Sequence, residues 1–189
     1  MKLNLKDYVV LQKSFLEKDF CDETIFKIEE EKLKWGKHFY HKRSTDEFIS
    51  NGDRDLDILY TFELNNTKII MDKLWQGIAN YVDSFHFPWF QNWTGYSLIR
   101  YNRYLENQRM DHHCDHIQTL FDGKDKGVPI LSCLGLLNDD YEGGEFVLID
   151  EKINLSKGDI IVFPSNFMYP HKVEPVTKGT RYSYISWIW

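Results

Sequence analysis

Beyond residue 95 the chain becomes a succession of short apolar runs cut by turn signals, and this rhythm restricts the fold more than any other feature. Residues 96–104 alternate as a strand, and residues 131–137 are almost continuously apolar, as expected of a strand covered on both faces. Residues 160–163 follow a turn at 155–159 and are ended by Pro164. The last run places Arg181, Ser183, Ile185 and Trp187 on one face, because side chains alternate along a strand. Short strands with frequent turns favour an antiparallel barrel or sandwich over a doubly wound parallel sheet. Helical spacing is confined to the first half. Residues 14–31 carry Phe15, Leu16, Phe20, Ile25 and Ile28 with Asp19 and Asp22 as caps, and residues 66–85 carry Ile69, Ile70, Leu74, Ile78, Tyr81, Val82 and Phe85. The expectation is an α+β protein of one domain, 1–189, in which 1–93 supply helical support and the first strands and 94–189 form the core.

The remaining stretches are less specific. Residues 8–11 suit a first strand, and residues 35–41 read as another, which sends His38 and His41 to opposite faces and argues against a shared metal. Residues 43–57 are charged, contain Gly52 and read as a loop, either a lid over a site or a solvated connector. The rings crowded into 86–93 read as packing, and residues 117–127 as an irregular excursion. A chain of 189 residues, 42% hydrophobic and 16% aromatic, can bury a sizeable core. Its net charge of −6 argues against binding nucleic acid through a broad basic field. Cys21, Cys114 and Cys133 form no CxxC pair, which fits a reducing compartment. The first residues lack an apolar signal region and no run reaches membrane-spanning length, so the expectation is a cytoplasmic protein without a membrane partner. The sequence assigns no oligomeric state.

Chemistry concentrates in the polar stretch Asp111, His112, His113, Cys114, Asp115, His116. On an extended backbone His113 and Asp115 project together while Cys114 points away, with His112 and His116 out of register. His171 arrives between two later strand-like runs and completes two histidines and one carboxylate, the facial set that leaves positions open on ferrous iron. Ten residues after His171 comes Arg181, followed by Ser183, a forked cation and a hydroxyl suited to a carboxylate. Asp139, Asp140 and Glu142 lack EF-hand spacing and read as a solvated turn rather than a calcium site. The adjacent Gly143 and Gly144 permit backbone conformations or close approaches that a β-carbon would obstruct.

Residues 97–189, taken together, resemble the double-stranded β-helix of the iron(II)- and 2-oxoglutarate-dependent dioxygenases, in particular the prolyl 4-hydroxylase-like family. The resemblance implies a jelly-roll, cupin-like core with Fe(II) held by His113, Asp115 and His171. It further implies 2-oxoglutarate as cosubstrate, with Arg181 on its distal carboxylate, Tyr104 donating a hydrogen bond to it and Ser183 assisting. Tyr101 is a rival for the tyrosine role. O2 is the co-oxidant and ascorbate a candidate reductant. Two departures stand out: Asn107 occupies a turn where relatives often place glycine, and Arg181 replaces the lysine of many collagen-type enzymes. Arg181, Tyr182 and Trp187 are similar to the pattern in oxygen-sensing prolyl hydroxylases. The implied activity is hydroxylation of an unactivated C–H bond, a peptidyl proline foremost, with a peptide or protein as partner. The alternatives are a small-molecule or nucleobase oxygenase using the same residues, and a non-enzymatic ligand-binding barrel.

Overall fold

The structure, a computed structural model, describes residues 4–30, 33–42, 45, 47–85, 95–115 and 129–189. In chain order the first half contributes β1 (Val10–Gln12), α1 (Lys18–Glu30), β2 (Gly36–Lys37), β3 (Tyr40–Lys42), β4 (Glu47–Ile49), β5 (Asp57–Leu59) and α2 (Asn65–Asp83). The second half contributes β6 (Arg100–Tyr104), β7 (Met110–His113), β8 (Leu131–Leu136), β9 (Glu142–Gly143) and β10 (Phe146–Leu148). It continues with β11 (Glu151–Lys152), β12 (Ile160–Pro164), β13 (His171–Val173), β14 (Val176–Lys178) and β15 (Arg181–Ile188).

Two antiparallel sheets stack face to face. The larger runs β1-β12-β8-β15-β6-β5-β2 and the smaller runs β11-β10-β13-β7. Strand alternation gives the larger sheet two different faces. One face, with Tyr101, Leu131, Cys133, Ile160, Val162, Tyr184 and Ile188, packs against the apolar stripes of α1 and α2, including Ile28, Ile70, Leu74 and Ile78. Each such fully buried aliphatic side chain contributes about 1.5–3 kcal/mol. The other face, with Tyr104, Leu134, Ile161 and Phe163, meets Phe146, Leu148 and Val173 of the smaller sheet. This is the α+β double-stranded β-helix expected, with both helices behind the larger sheet and the interior between the sheets left for a site.

Several local expectations shift. The first strand is displaced to β1, because residues Leu5–Tyr8 form a 3-10 turn capped by Asn4 and Asp7. This segment closes one end of the sandwich: Tyr169 Oη donates to Leu5 O at 3.0 Å and Tyr81 Oη to Tyr8 O at 2.9 Å. Residues 35–41 do not form one strand. They divide between β2, which joins the larger sheet through β5, and β3, which pairs with β4 in a separate hairpin. Residues 43–57 accordingly are not a plain loop. They hold β4, a 3-10 turn at Gly52–Arg54 and the start of β5, and the buried Asp55 carboxylate accepts from Ser50 Oγ at 2.9 Å and from Asn51 N at 2.5 Å. Regular pairing of the 96–104 stretch starts at Arg100, Tyr96 making one bridge to Ile188. The aromatic run at 86–93, the excursion at 117–127 and His116 lie outside the described residues. No described helix is long and apolar enough to cross a membrane.

Candidate active site

Pairing within the smaller sheet sets His171 of β13 directly opposite His113 of β7, with ring centroids 4.3 Å apart. Each Nδ1 lies against a backbone carbonyl, His113 on Asp111 O at 2.8 Å and His171 on Tyr169 O at 3.1 Å. A carbonyl only accepts, so Nδ1 carries the proton and the Nε2 lone pair is left to ligate. Both Nε2 atoms stand 3.7 Å from the same oxygen, Asp115 Oδ1. Asp115 lies two residues beyond the last paired residue of β7, so strand register alone does not fix it. Ser132 of β8 does: its Oγ donates to Asp115 Oδ2 at 2.5 Å and is itself 2.7 Å from Ser165 Oγ. One carboxylate oxygen is thereby tied down and the other faces the imidazoles. Among the described residues this is the only trio of His, Cys, Asp or Glu whose ligand atoms gather in this way, all within 4.8 Å.

Electrostatics favour a cation here. Burial, with His171 adding to it, pushes His113 down to about 4, so its ring is neutral and available near neutral pH. Burial opposes ionisation of Asp115, but the two histidines and Ser132 outweigh it and hold the carboxyl well below its usual range. Burial likewise opposes charge on His171, and Asp115 overrides it, raising His171 above its ordinary value. A proton that Asp115 favours on His171 Nε2 is one that a divalent metal would displace. Two imidazoles and a carboxylate with open positions form a donor set suited to Fe(II). His112 is exposed, and Cys114 Sγ is 3.6 Å from Phe167 O, away from the trio. His38 lies between β2 and β3, near enough to Arg100 and His113 that their charges, after burial, lower it to about 4. It is not a member of the ligand group.

Across the interior, β15 presents Arg181 and Ser183 from the larger sheet. Arg181 is 1% exposed, its Nη1 donates to Ser183 Oγ at 2.8 Å, and its guanidinium sits 5.1 Å from the Tyr104 ring centroid. Its Nε is buried with no hydrogen-bond partner, and no described carboxylate pairs with it. A buried guanidinium without a counter-ion is costly, so this cradle suits an anion such as the distal carboxylate of 2-oxoglutarate. Gly144 leaves room beside the cradle: at φ +63° a β-carbon there would stand 3.1 Å from Arg181 Cδ. The two candidate tyrosines separate by strand alternation. Tyr104 shares the interior with Arg181, while Tyr101 faces the helices and bonds Thr67 Oγ1 at 2.9 Å. Asn107 adopts φ +67°, doing in the turn what glycine would do. Ser132 escaped the sequence reading because it sits inside an apolar run, whereas Gly144 makes the kind of close approach expected of it.

The fold is a double-stranded β-helix whose interior brings a metal-ligand trio and an anion cradle together. Residues 99–189 match the model of the 2OG-Fe(II) oxygenase superfamily. Similarity within it runs to PKHD-type hydroxylases. The chain is 31% identical over 126 residues to PKHD-type hydroxylase IL0759 of Idiomarina loihiensis, covering 65% of this chain and 52% of that protein. It is 36% identical over 96 residues to one from Aliarcobacter butzleri, covering 47% and 41%. The chain thus spans about half the length, or less, of the curated relatives it matches. Among solved structures, the viral collagen prolyl hydroxylase of Paramecium bursaria Chlorella virus-1, in its 2OG complex, superposes with TM-score 0.69 at 19% identity over 96% of this chain and 94% of that one. A Trichoplax adhaerens prolyl hydroxylase, in complex with a hypoxia inducible factor oxygen degradation domain peptide fragment, gives TM-score 0.72 at 16% identity over 97% and 84%. At these identities the likeness is one of fold.

Proposed function

We propose that this protein is an Fe(II)- and 2-oxoglutarate-dependent dioxygenase that hydroxylates a C–H bond, with a peptidyl proline as the foremost target. The observation that carries the reading is the buried Arg181 guanidinium, unpaired by any described carboxylate and facing the same interior as the His113, Asp115, His171 trio. A metal-binding barrel without cosubstrate chemistry would have no use for it. Bound Fe(II) with 2-oxoglutarate and O2 would supply the oxidising power for C–H cleavage. The chain supplies placement. His113, Asp115 and His171 would hold the metal, and Ser132 keeps Asp115 Oδ1 turned toward the two imidazoles. Arg181, steadied by Ser183, would anchor the far carboxylate of the cosubstrate, and the Tyr104 hydroxyl would donate to it. Burial raises the Tyr104 pKa and keeps that hydroxyl a donor. Apolar walls from Leu134, Phe146, Ile161 and Phe163 keep water from the reacting atoms.

A peptide target is supported by the prolyl hydroxylase folds that superpose, one of them holding a peptide. A cytoplasmic setting is supported by three cysteines that form no disulfide. The test is calorimetric titration of 2-oxoglutarate into Mn(II)-loaded protein, followed by peptide screening with Fe(II) for a gain of one oxygen by mass. Saturable 2-oxoglutarate binding that is lost in His171→Ala supports the reading. Metal binding without any 2-oxoglutarate binding refutes it.

A further inference from the structure

A second buried arginine lies on the interior face of the larger sheet. In the β15–β6 register Arg181 pairs with Tyr104, Ser183 with Asn102 and Ile185 with Arg100, so Arg100 projects from the same face as Arg181. Four residues of strand separate Arg100 from Tyr104, roughly 14 Å. The two guanidiniums therefore start from opposite ends of one wall. Arg100 is 9% exposed. Its Nε donates to Asn102 Oδ1 at 2.9 Å, and its guanidinium carbon lies 5.1 Å from the centroid of the Trp187 ring.

These contacts fix the plane of the guanidinium but bring it no negative charge. Arg103, on the opposite face of the same strand, shows how the chain treats a structural arginine. It pairs with Asp57 at 3.0 Å and with Glu29 at 2.9 Å, besides lying over Trp35. No described carboxylate does this for Arg100. Once the proposed site is filled, Fe(II), Asp115, Arg181 and doubly ionised 2-oxoglutarate sum to zero charge, and Arg100 has no counter-charge among the described residues. A proline ring is neutral and cannot supply the counter-charge. A buried cation held rigid without a counter-ion is costly, whereas pairing it bidentately with a carboxylate is favourable.

We propose that Arg100, levelled by Asn102 and Trp187, is a substrate-binding residue that pairs with a carboxylate of the target, so that the protein selects substrates anionic close to the reacting C–H bond. The inference rests on the oxygenase reading above and narrows its substrate class. The carboxylate has two sources, an acidic side chain flanking the proline of a peptide or the α-carboxylate of a free amino acid.

Both are tested on protein loaded with Mn(II) and 2-oxoglutarate. One arm measures by calorimetry the binding of blocked pentapeptides with a single proline flanked by Asp or Glu, against the same peptides with Asn or Gln. The other compares L-proline with L-prolinamide. Wild-type protein should bind the carboxylate member of at least one arm about tenfold or more tightly than its amide partner. Arg100→Gln should erase that difference and Arg100→Lys should keep part of it, both with unchanged 2-oxoglutarate affinity. The arm that responds identifies the source. Absence of a carboxylate preference in wild type, in both arms, overturns the proposal, as does a preference that survives Arg100→Gln. If Arg100→Gln does not fold, Arg100→Lys and the wild-type comparison still decide. Failure of the wild type to bind 2-oxoglutarate at all would instead overturn the oxygenase reading.

Discussion

Single protons and single donors decide most of what happens around Asp115. His171 is held above its ordinary pKa by Asp115, which outweighs burial, so a proton and a divalent metal compete for the same Nε2. A raised value means the competing proton is lost as pH rises through it. Metal affinity should therefore increase with pH up to that raised value and fall by about tenfold for each unit below it. Titration of Mn(II) between pH 8 and pH 6 checks this; a flat profile would mean the carboxylate pairing does not persist. At the other wall, Arg181→Ala should cost roughly 2 kcal/mol or more of 2-oxoglutarate affinity, about thirtyfold, and Arg181→Lys less. Tyr104→Phe should show a smaller loss. Tyr101→Phe should leave cosubstrate binding intact and instead lower stability by about 1 kcal/mol, since it gives up only the bond to Thr67. Calorimetry and urea unfolding separate the two tyrosines, and a cosubstrate effect from Tyr101→Phe would reverse their assignment.

At the scale of elements, the centre of the larger sheet is the least forgiving place. A β-carbon on Gly135 of β8 would stand 2.1 Å from Tyr184 Cζ of the neighbouring β15, and both residues are buried. Gly135→Ala should destabilise by about 1–3 kcal/mol or more, with part recovered on adding Tyr184→Leu. Additive losses in urea unfolding would show that the ring is not what makes the site intolerant. The elements that sequence revealed were those with long or strongly periodic patterns: α2, β8, β12 and β15. His113, His171 and Arg181 were legible because they lie on strands, where alternation is a local rule. What was not legible depends on partners distant in sequence. Strands as short as β2, β3 and β5 carry no period of their own, and β5 exists because β6 offers it an edge. The support of Asp115 by Ser132 is invisible for the same reason, being a contact between segments separated by 17 residues.

For the whole molecule, the segment before α1 protects as well as closes. β1 is the outermost strand of the larger sheet and covers β12, whose run Ile160, Ile161, Val162, Phe163 is apolar throughout. Deleting residues 1–12 should uncover that edge and lose the bonds from Tyr169 and Tyr81, giving a protein that self-associates on size exclusion with light scattering. A truncated protein that stays monodisperse would show that β12 needs no cover. The two-faced larger sheet has a different kind of consequence. On β6 and β15, every second residue is committed to the helices and every other one to the interior. A laboratory selection for new substrates could randomise Asn102, Ile185 and Trp187 while leaving Tyr101, Tyr184 and Ile188 alone. Variation in chemistry and the inheritance of a folded scaffold would then run on alternate codons of the same two strands.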